Sequence, residues 1–199
     1  MKIKIVLLLT VAAAAFALGR ISAQEVEPSC NMCDASYVAA EELHRYEAIA
    51  IATGAVDQQV RSIDIGKTNV QIALARRGEL TSRRGRVAEH DLVTEMYVVL
   101  SGGGTILTGP DLIDPVRRPP DNNAVVRLNG PGNNATDVRN GQINELKAGD
   151  VLVIPAGTGH EFIRIDDHIT YLMVRVDPDK VVPLMNLTDS ESYLAEREN

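Results

Sequence analysis

The hydrophobic residues of this chain fall mostly in short runs that are typical of β-strands. Runs rich in Val, Ile, Thr and Tyr recur between residues 60 and 176, and Gly, Asp or Pro separates most of them. The predicted strands are residues 60–65, 70–75, 96–100, 105–108, 151–154, 162–165 and 169–176. Many short strands after a single helix predict an all-β sandwich or barrel.

Residues 34–54 have the spacing of a helix instead. Apolar residues three or four positions apart carry this pattern, at Ala39, Leu43, Tyr46 and Ala50. Gly54 is a suitable helix end. We therefore expect an N-terminal segment with one α-helix at 24–58, a barrel at 59–178 and a C-terminal tail at 179–199.

One stretch of the expected barrel, residues 109–142, is rich in Pro and Asn, and only Ala124 to Leu128 resembles a strand there. Long loops in compact domains are usually functional or mobile. We interpret this insert as a lid or a subunit contact, and we expect a homodimer.

The first 23 residues have the pattern of a secretory signal peptide. Lys2 and Lys4 precede an apolar run, and Ala23 supplies a small residue before Gln24. The alternative is an uncleaved anchor, although the run is short for a membrane span. The predicted mature chain begins at Gln24 and is periplasmic or secreted, with no membrane partner after cleavage.

Composition and charge exclude some functions. Aromatic residues are 4% of the 199 residues, there is no Trp, and the formal net charge is −7. A nucleic-acid-binding protein needs a cationic surface and often aromatic platforms for bases. We therefore expect a small-molecule ligand or substrate and no nucleic acid.

Cys30 and Cys33 form a Cys-x-x-Cys pair near the predicted mature N-terminus. Thiols of exported proteins are usually oxidised, so a small local disulfide or an inert pair is the simple interpretation. A thioredoxin-like redox site would need a preceding strand, and the sequence shows none. We expect the pair to be structural.

Candidate chemistry is concentrated in two segments. In the first, His90 precedes Glu95 by five positions, and Glu95 opens a strand. In the second, a strand ends at Pro155 and the next begins at His160 after two glycines. Neighbouring strands can bring these side chains to one metal ion.

These segments resemble the two motifs of the cupin superfamily. His90, Glu95 and Gly102 match the second His, the Glu and the Gly of the first motif. The second motif is matched at every spacing by Gly149, Pro155, Gly157 and His160. The resemblance spans about residues 60–176 and implies a cupin jelly-roll barrel.

The chain departs from the motifs at two positions. Ala88 stands in place of the first His and Arg164 in place of a final Asn. Cupins commonly hold a divalent metal through three His and one Glu, so the resemblance implies a site of His90, Glu95 and His160. Two His and one carboxylate suffice for a metal with open positions. Fe, Mn, Zn, Ni and Cu all accept these ligands; the alternative is a cupin that has lost its metal.

Strand alternation extends the candidate site. Side chains two positions apart share a face, so Tyr97 accompanies Glu95, and Arg164 accompanies His160. Tyr97 is a candidate proton donor or a packing residue. We expect Arg164 to face the barrel interior, where an internal acid or a substrate carboxylate would pair with it.

Three functions are compatible with these features. The first is an exported metal-dependent cupin enzyme with oxygenase, isomerase or lyase chemistry on a small polar or carboxylate-bearing molecule. The second is a small-molecule-binding cupin without turnover. The third is a structural or assembly protein that uses the barrel as a scaffold, and the fold alone does not decide among them.

Overall fold

Strands dominate the computed structural model, which describes residues 26–198. In chain order the elements are α1 (Ala40–Thr53), β1 (Asp57–Asp64), β2 (Asn69–Arg77), β3 (Val87–His90), β4 (Thr94–Gly109), β5 (Asp111–Ile113), β6 (Val116–Arg117), a π-helix (Ala124–Asn129), β7 (Gly132–Ala135), β8 (Asp137–Arg139), β9 (Gln142–Lys147), β10 (Val151–Ile154), β11 (Gly159–Arg164), β12 (Ile169–Asp177) and α2 (Leu187–Arg197). The predicted all-β fold with an N-terminal helix is confirmed. The predicted signal peptide at residues 1–23 lies outside the described residues.

The strand β4 joins the two halves of the fold. Its first half pairs with β10 and β12, and its second half pairs with β9 and β11, all antiparallel. The sequence predicts two separate strands here, but the chain continues through the glycines between them. A Cβ atom on Gly102, whose φ is +68°, would lie 2.0 Å from the His168 carbonyl oxygen. Only glycine therefore allows β4 to pass from one sheet to the other, as the jelly-roll barrel requires.

The main core lies between these sheets. Inward-facing residues alternate along the strands, as the two-residue period predicts. The buried cluster comprises Ala73, Ala75, Tyr97, Val99, Ile106, Leu146, Ile154, Phe162, Ile165, Ile169, Tyr171 and Met173. The strands that supply this core also carry candidate site residues, such as Glu95 on β4.

The two helices share a second core with β1 and β2. Tyr46 and Ile49 of α1 meet Leu194 of α2 over Val60 and Leu74. The segment predicted as a C-terminal tail thus contains a helix that completes the apolar packing. Its start is fixed by a capping box, in which the side chains and backbone amides at its first turn bond reciprocally.

The helix α1 is shorter at its start than the sequence indicates. It begins after Ala39, whose side chain makes no cap, rather than at residue 34. It ends at Gly54, as predicted, in a left-handed conformation with φ +73°.

The Pro- and Asn-rich insert contains short strands instead of one long loop. Strands β5 to β8 lie within residues 109–142, and β7 pairs with β3. The interpretation of the insert as a lid or a subunit contact stays a prediction. The predicted strand at residues 124–128 is wrong, because Ala124–Asn129 forms the π-helix. Backbone pairing of strands this short leaves almost no alternation pattern in the sequence.

The described residues before Asp34 form a unit of their own. In it, Cys30 and Cys33 form a disulfide with a Cα–Cα distance of 5.8 Å, which confirms the predicted local pair. Within residues 26–198, no helix has the length and apolar character needed to cross a membrane.

The packing of α2 yields a stability prediction. Leu194 is fully buried, so Leu194→Ala should lower the free energy of unfolding by about 2–5 kcal/mol. Leu187→Ala on the same helix, at a 53% exposed position, should change it by less than about 0.5 kcal/mol. Urea unfolding measures both. Equal losses in the two variants would show that α2 does not pack as described.

Candidate metal centre

Three neighbouring strands bring the predicted metal ligands together. His90 ends β3, Glu95 is the second residue of β4, and His160 lies on β11, where it pairs with Ala88 of β3. All three ligand side chains are buried. Their candidate donor atoms lie within 4.8 Å of one another. These residues could therefore bind one metal ion.

Glu95 lies between the two imidazole rings. Its Oε1 is 3.6 Å from His90 Nε2, and its Oε2 is 3.5 Å from His160 Nε2. Burial alone would raise the pKa of Glu95, but the histidine rings and the Arg175 guanidinium lower it to about 2. Burial lowers the pKa of His90 to about 3 and also lowers that of His160. At neutral pH the site thus holds a carboxylate and two neutral imidazoles, the forms that ligate metals.

Three donors fix the Glu95 carboxylate. The Tyr97 hydroxyl donates to Oε2 at 2.9 Å, and the Asn129 amide donates to Oε1 at 2.7 Å. Arg175 Nε donates to Oε1 at 3.1 Å. Tyr97 lies on the same buried face as Glu95, as strand alternation predicts, and its proton is engaged in holding the carboxylate.

Arg175 is the largest fully buried side chain near the site. It lies on β12 directly across from Glu95 in the strand register. Its Nη1 donates to Gln59 Oε1 at 2.9 Å, and its Nη2 bonds to Asp57. One guanidinium therefore bonds to two carboxylates, and it replaces part of the water shell that burial removes from Glu95.

The ring of His160 is oriented as a metal ligand requires. Its Nδ1 lies 3.3 Å from the carbonyl oxygen of Thr158. A carbonyl only accepts, so Nδ1 carries the proton and Nε2 presents its lone pair towards Glu95. This arrangement is typical of histidines that bind metal through Nε2.

The ring of His90 has a different neighbour. Its Nδ1 lies 3.3 Å from Nη1 of Arg118, and a guanidinium only donates. The bond therefore places the His90 proton on Nε2, which a metal at that atom would have to displace. Arg118 is held there by the Asn134 side chain and the Asn133 carbonyl, each at 2.9 Å. Metal binding at His90 requires this guanidinium to turn away.

The predicted inward position of Arg164 is wrong. Its side chain is 66% exposed, and its Nε donates to Asp166 Oδ1 at 2.7 Å. The pairing of β11 with β4 shifts by one residue between Phe162 and Arg164, where Ile163 is the extra residue of a bulge. This bulge inverts the alternation after Phe162, so Arg164 leaves the face that His160 occupies.

Ala88, at the position of the first histidine of the motif, offers no metal ligand. Ala88 lines a cavity that also reaches His160. His168 does not substitute for it, since its Nδ1 bonds to Asp167 and its Nε2 to Ser101. A donor set of two imidazoles and one carboxylate fits a divalent ion with free coordination positions. The residues present therefore suit the metal in chemistry and spacing, and the Arg118 guanidinium beside His90 opposes it.

The sequence gives little warning of the residues that support the ligands. Asn129 lies at the end of the π-helix and Arg118 lies earlier in the same insert, and neither residue follows a periodic pattern. Arg175 does have a signal, because it continues the buried alternate positions of Tyr171 and Met173. A charged residue on an apolar strand face predicts a buried partner.

No protein-family model matches this chain. No curated protein matches it either.

Several solved structures are similar to this chain. A Bacillus halodurans protein has a TM-score of 0.43 and 13% identity, covering 83% of this chain and 98% of that one. A cupin protein from Bacteroides fragilis has a TM-score of 0.37 and 19% identity, covering 80% and 95%. The Drosophila melanogaster CENP-C cupin domain has a TM-score of 0.34 and 13% identity, covering 71% and 84%. With TM-scores below 0.5, these similarities carry no conclusion about what this chain binds or catalyses.

The buried histidines predict acid sensitivity of the chelator-treated protein. The unfolded chain takes up a proton on each imidazole near pH 6.5, whereas folded His90 stays neutral down to about pH 3. Acid therefore favours the unfolded state, and His90 alone should lower the stability by about 1 kcal/mol per pH unit across this window. Urea unfolding at a series of pH values measures the slope. His90→Gln should reduce it and His44→Gln, at an exposed position, should not; equal slopes would contradict the assignment.

Proposed function

We propose that this chain binds one divalent metal ion at His90, Glu95 and His160 and acts there on a small polar or carboxylate-bearing molecule. One observation carries the proposal: three buried side chains from three strands bring their donor atoms within 4.8 Å. Burying a carboxylate and two imidazoles has a large desolvation cost, and a bound cation would offset it. The cupin motifs that supply these residues support the same function.

The chain's own residues have distinct parts in this proposal. Glu95 supplies the negative charge, and Tyr97, Asn129 and Arg175 hold its two oxygens in place. Alanine at position 88 leaves room beside His160 for a ligand. A bound divalent ion supplies Lewis acidity, which suits oxygenase, isomerase or lyase chemistry.

A second candidate is a binding protein without turnover. The contact between Arg118 and His90 favours it, because a guanidinium beside a ligand imidazole opposes a bound cation. In that case the cavity beside His160 would hold a small molecule without metal chemistry.

The cellular setting belongs to the same proposal. The leader pattern at residues 1–23 and the disulfide between Cys30 and Cys33 support an exported, periplasmic or secreted protein. We also propose that it functions as a homodimer without nucleic-acid or membrane partners.

Metal content tests the proposal directly. The full chain, purified without added metal or chelator, should contain about one divalent ion per chain by inductively coupled plasma mass spectrometry. His160→Ala should abolish this content, since only two ligands remain. The control is His44→Ala, which removes an exposed imidazole and should keep the metal. Equal metal in wild type and His160→Ala, or no metal in the wild type, would contradict the proposal.

The position of Arg118 gives a second prediction. Arg118→Leu removes a cation and the donor that faces His90 Nδ1, so the affinity for Zn²⁺ should rise by about tenfold. Competition with a fluorescent chelator measures it. The matched control is Arg117→Leu, because Arg117 is exposed and paired with Asp91. Unchanged or weaker Zn²⁺ binding in Arg118→Leu would show that this guanidinium does not oppose the metal.

A further inference from the structure

A cavity of about 570 Å³ opens beside the candidate metal centre. His160 and Ala88 line its inner end, next to the ligand position that the missing histidine leaves free. Ile51, Leu80 and Phe162 supply apolar wall. The space can hold a small organic molecule in contact with the site.

The cavity is basic although the whole chain is acidic, with a net charge of −7. Its basic lining residues are Arg76, Arg77, Arg84 and Arg86, and its acidic ones are Glu79 and Glu161. Glu161 is already neutralised, because Arg83 Nε donates to it at 2.7 Å and the Arg86 amide at 2.9 Å. Arg76 is paired with Glu47 at 3.8 Å. Arg77, Arg84 and Arg86 still outnumber Glu79, and this excess of positive charge favours an anionic occupant.

Arg77 is the cation that is placed to bind this anion. Its Nε donates to the buried Tyr171 hydroxyl at 3.2 Å, and its guanidinium carbon lies 5.4 Å from the centroid of the Phe162 ring. Within residues 26–198, no carboxylate lies within 4.0 Å of it, and its two Nη groups make no hydrogen bond. The buried Arg61 and Arg175, in contrast, are each paired with a carboxylate.

Arg77 and His160 line the same cavity. A molecule bound to the guanidinium can therefore extend to the candidate metal centre.

We propose that this cavity binds a carboxylic acid with an apolar body, whose carboxylate pairs with the Nη groups of Arg77 and whose body lies along Phe162 and Leu80 towards His160. The proposal rests on the proposed function for the site and names the class of its ligand. A planar guanidinium matches a carboxylate through two parallel hydrogen bonds. One such fork beside apolar walls suits a singly charged organic acid better than a phosphate dianion. Arg77 is thus a specificity residue. It takes the role of pairing with a substrate carboxylate, which the sequence suggests for Arg164.

Calorimetric titration of the full chain tests the proposal. The probes are phenylacetate and hexanoate, with phenylacetamide and hexanamide as uncharged counterparts. Each is titrated into chelator-treated protein and into protein loaded with Zn²⁺. At least one acid should bind at millimolar concentration or below in both forms, and its amide should bind at least about tenfold more weakly because the fork loses an anionic partner. Absence of binding by both acids, or equal binding of acid and amide, would overturn the proposal.

Variants assign the binding to the guanidinium. Arg77→Gln should weaken binding of the acid at least about tenfold, and Arg77→Lys should weaken it less, because the charge stays and the fork is lost. Arg164→Gln removes an exposed arginine on β11, paired with Asp166, and should leave binding unchanged. Thermal melts establish that each variant is folded. If Arg77→Gln does not fold, the comparison of acid with amide in the wild type and the Arg77→Lys result still decide the matter.

The outcomes separate this proposal from the metal site. Binding that needs Zn²⁺ and survives in Arg77→Gln would place the carboxylate on the metal and overturn the role of Arg77 alone. Binding to chelator-treated protein that Arg77→Gln removes supports Arg77, even if the purified chain contains no metal. Equal displacement of the acid by inorganic phosphate would show a general anion site and overturn the choice of a carboxylate.

Discussion

A carboxylate inside a protein core is stable only where cations and N–H or O–H donors replace its water shell, and this constraint governs the structure around Glu95. Arg175 of β12 donates to Glu95 through Nε, and its Nη2 bonds to Asp57. Asn129, the last residue of the π-helix, donates to the same Glu95 oxygen as Arg175. Strands β1, β4 and β12 and the π-helix of the insert are thereby connected to a single buried carboxylate.

The same constraint gives the two histidines different states. The Thr158 carbonyl accepts from Nδ1 of His160, so that ring carries its proton on Nδ1. Arg118 donates to Nδ1 of His90, so that ring carries its proton on Nε2. His160 therefore has a free Nε2 lone pair for a cation, whereas Arg118 already lies beside His90. Arg118 lies in the Pro- and Asn-rich segment, so the guanidinium that faces His90 comes from this insert.

Motif spacing and strand period predict much of the site, since they depend only on local geometry. His90, Glu95 and His160 lie on strands whose pairing follows from the all-β pattern, and their convergence is visible in the motifs. The prediction for Arg164 fails because the bulged residue Ile163 inverts the alternation at the end of β11, and no sequence signal marks the bulge. Arg77 and Arg118 act through partners far away in the chain, which a periodic pattern does not encode.

The central claim is that one metal ion occupies the space between His90, Glu95 and His160. Anomalous diffraction from crystals of the full chain grown with Zn²⁺, with data collected on both sides of the zinc absorption edge, tests it most directly. The account predicts a single strong peak about 2.0–2.2 Å from both Nε2 atoms and a Glu95 oxygen, with Arg118 turned away from His90. A peak only at surface groups such as Asp167 and His168, or Arg118 still bonded to His90 with the centre empty, would contradict it.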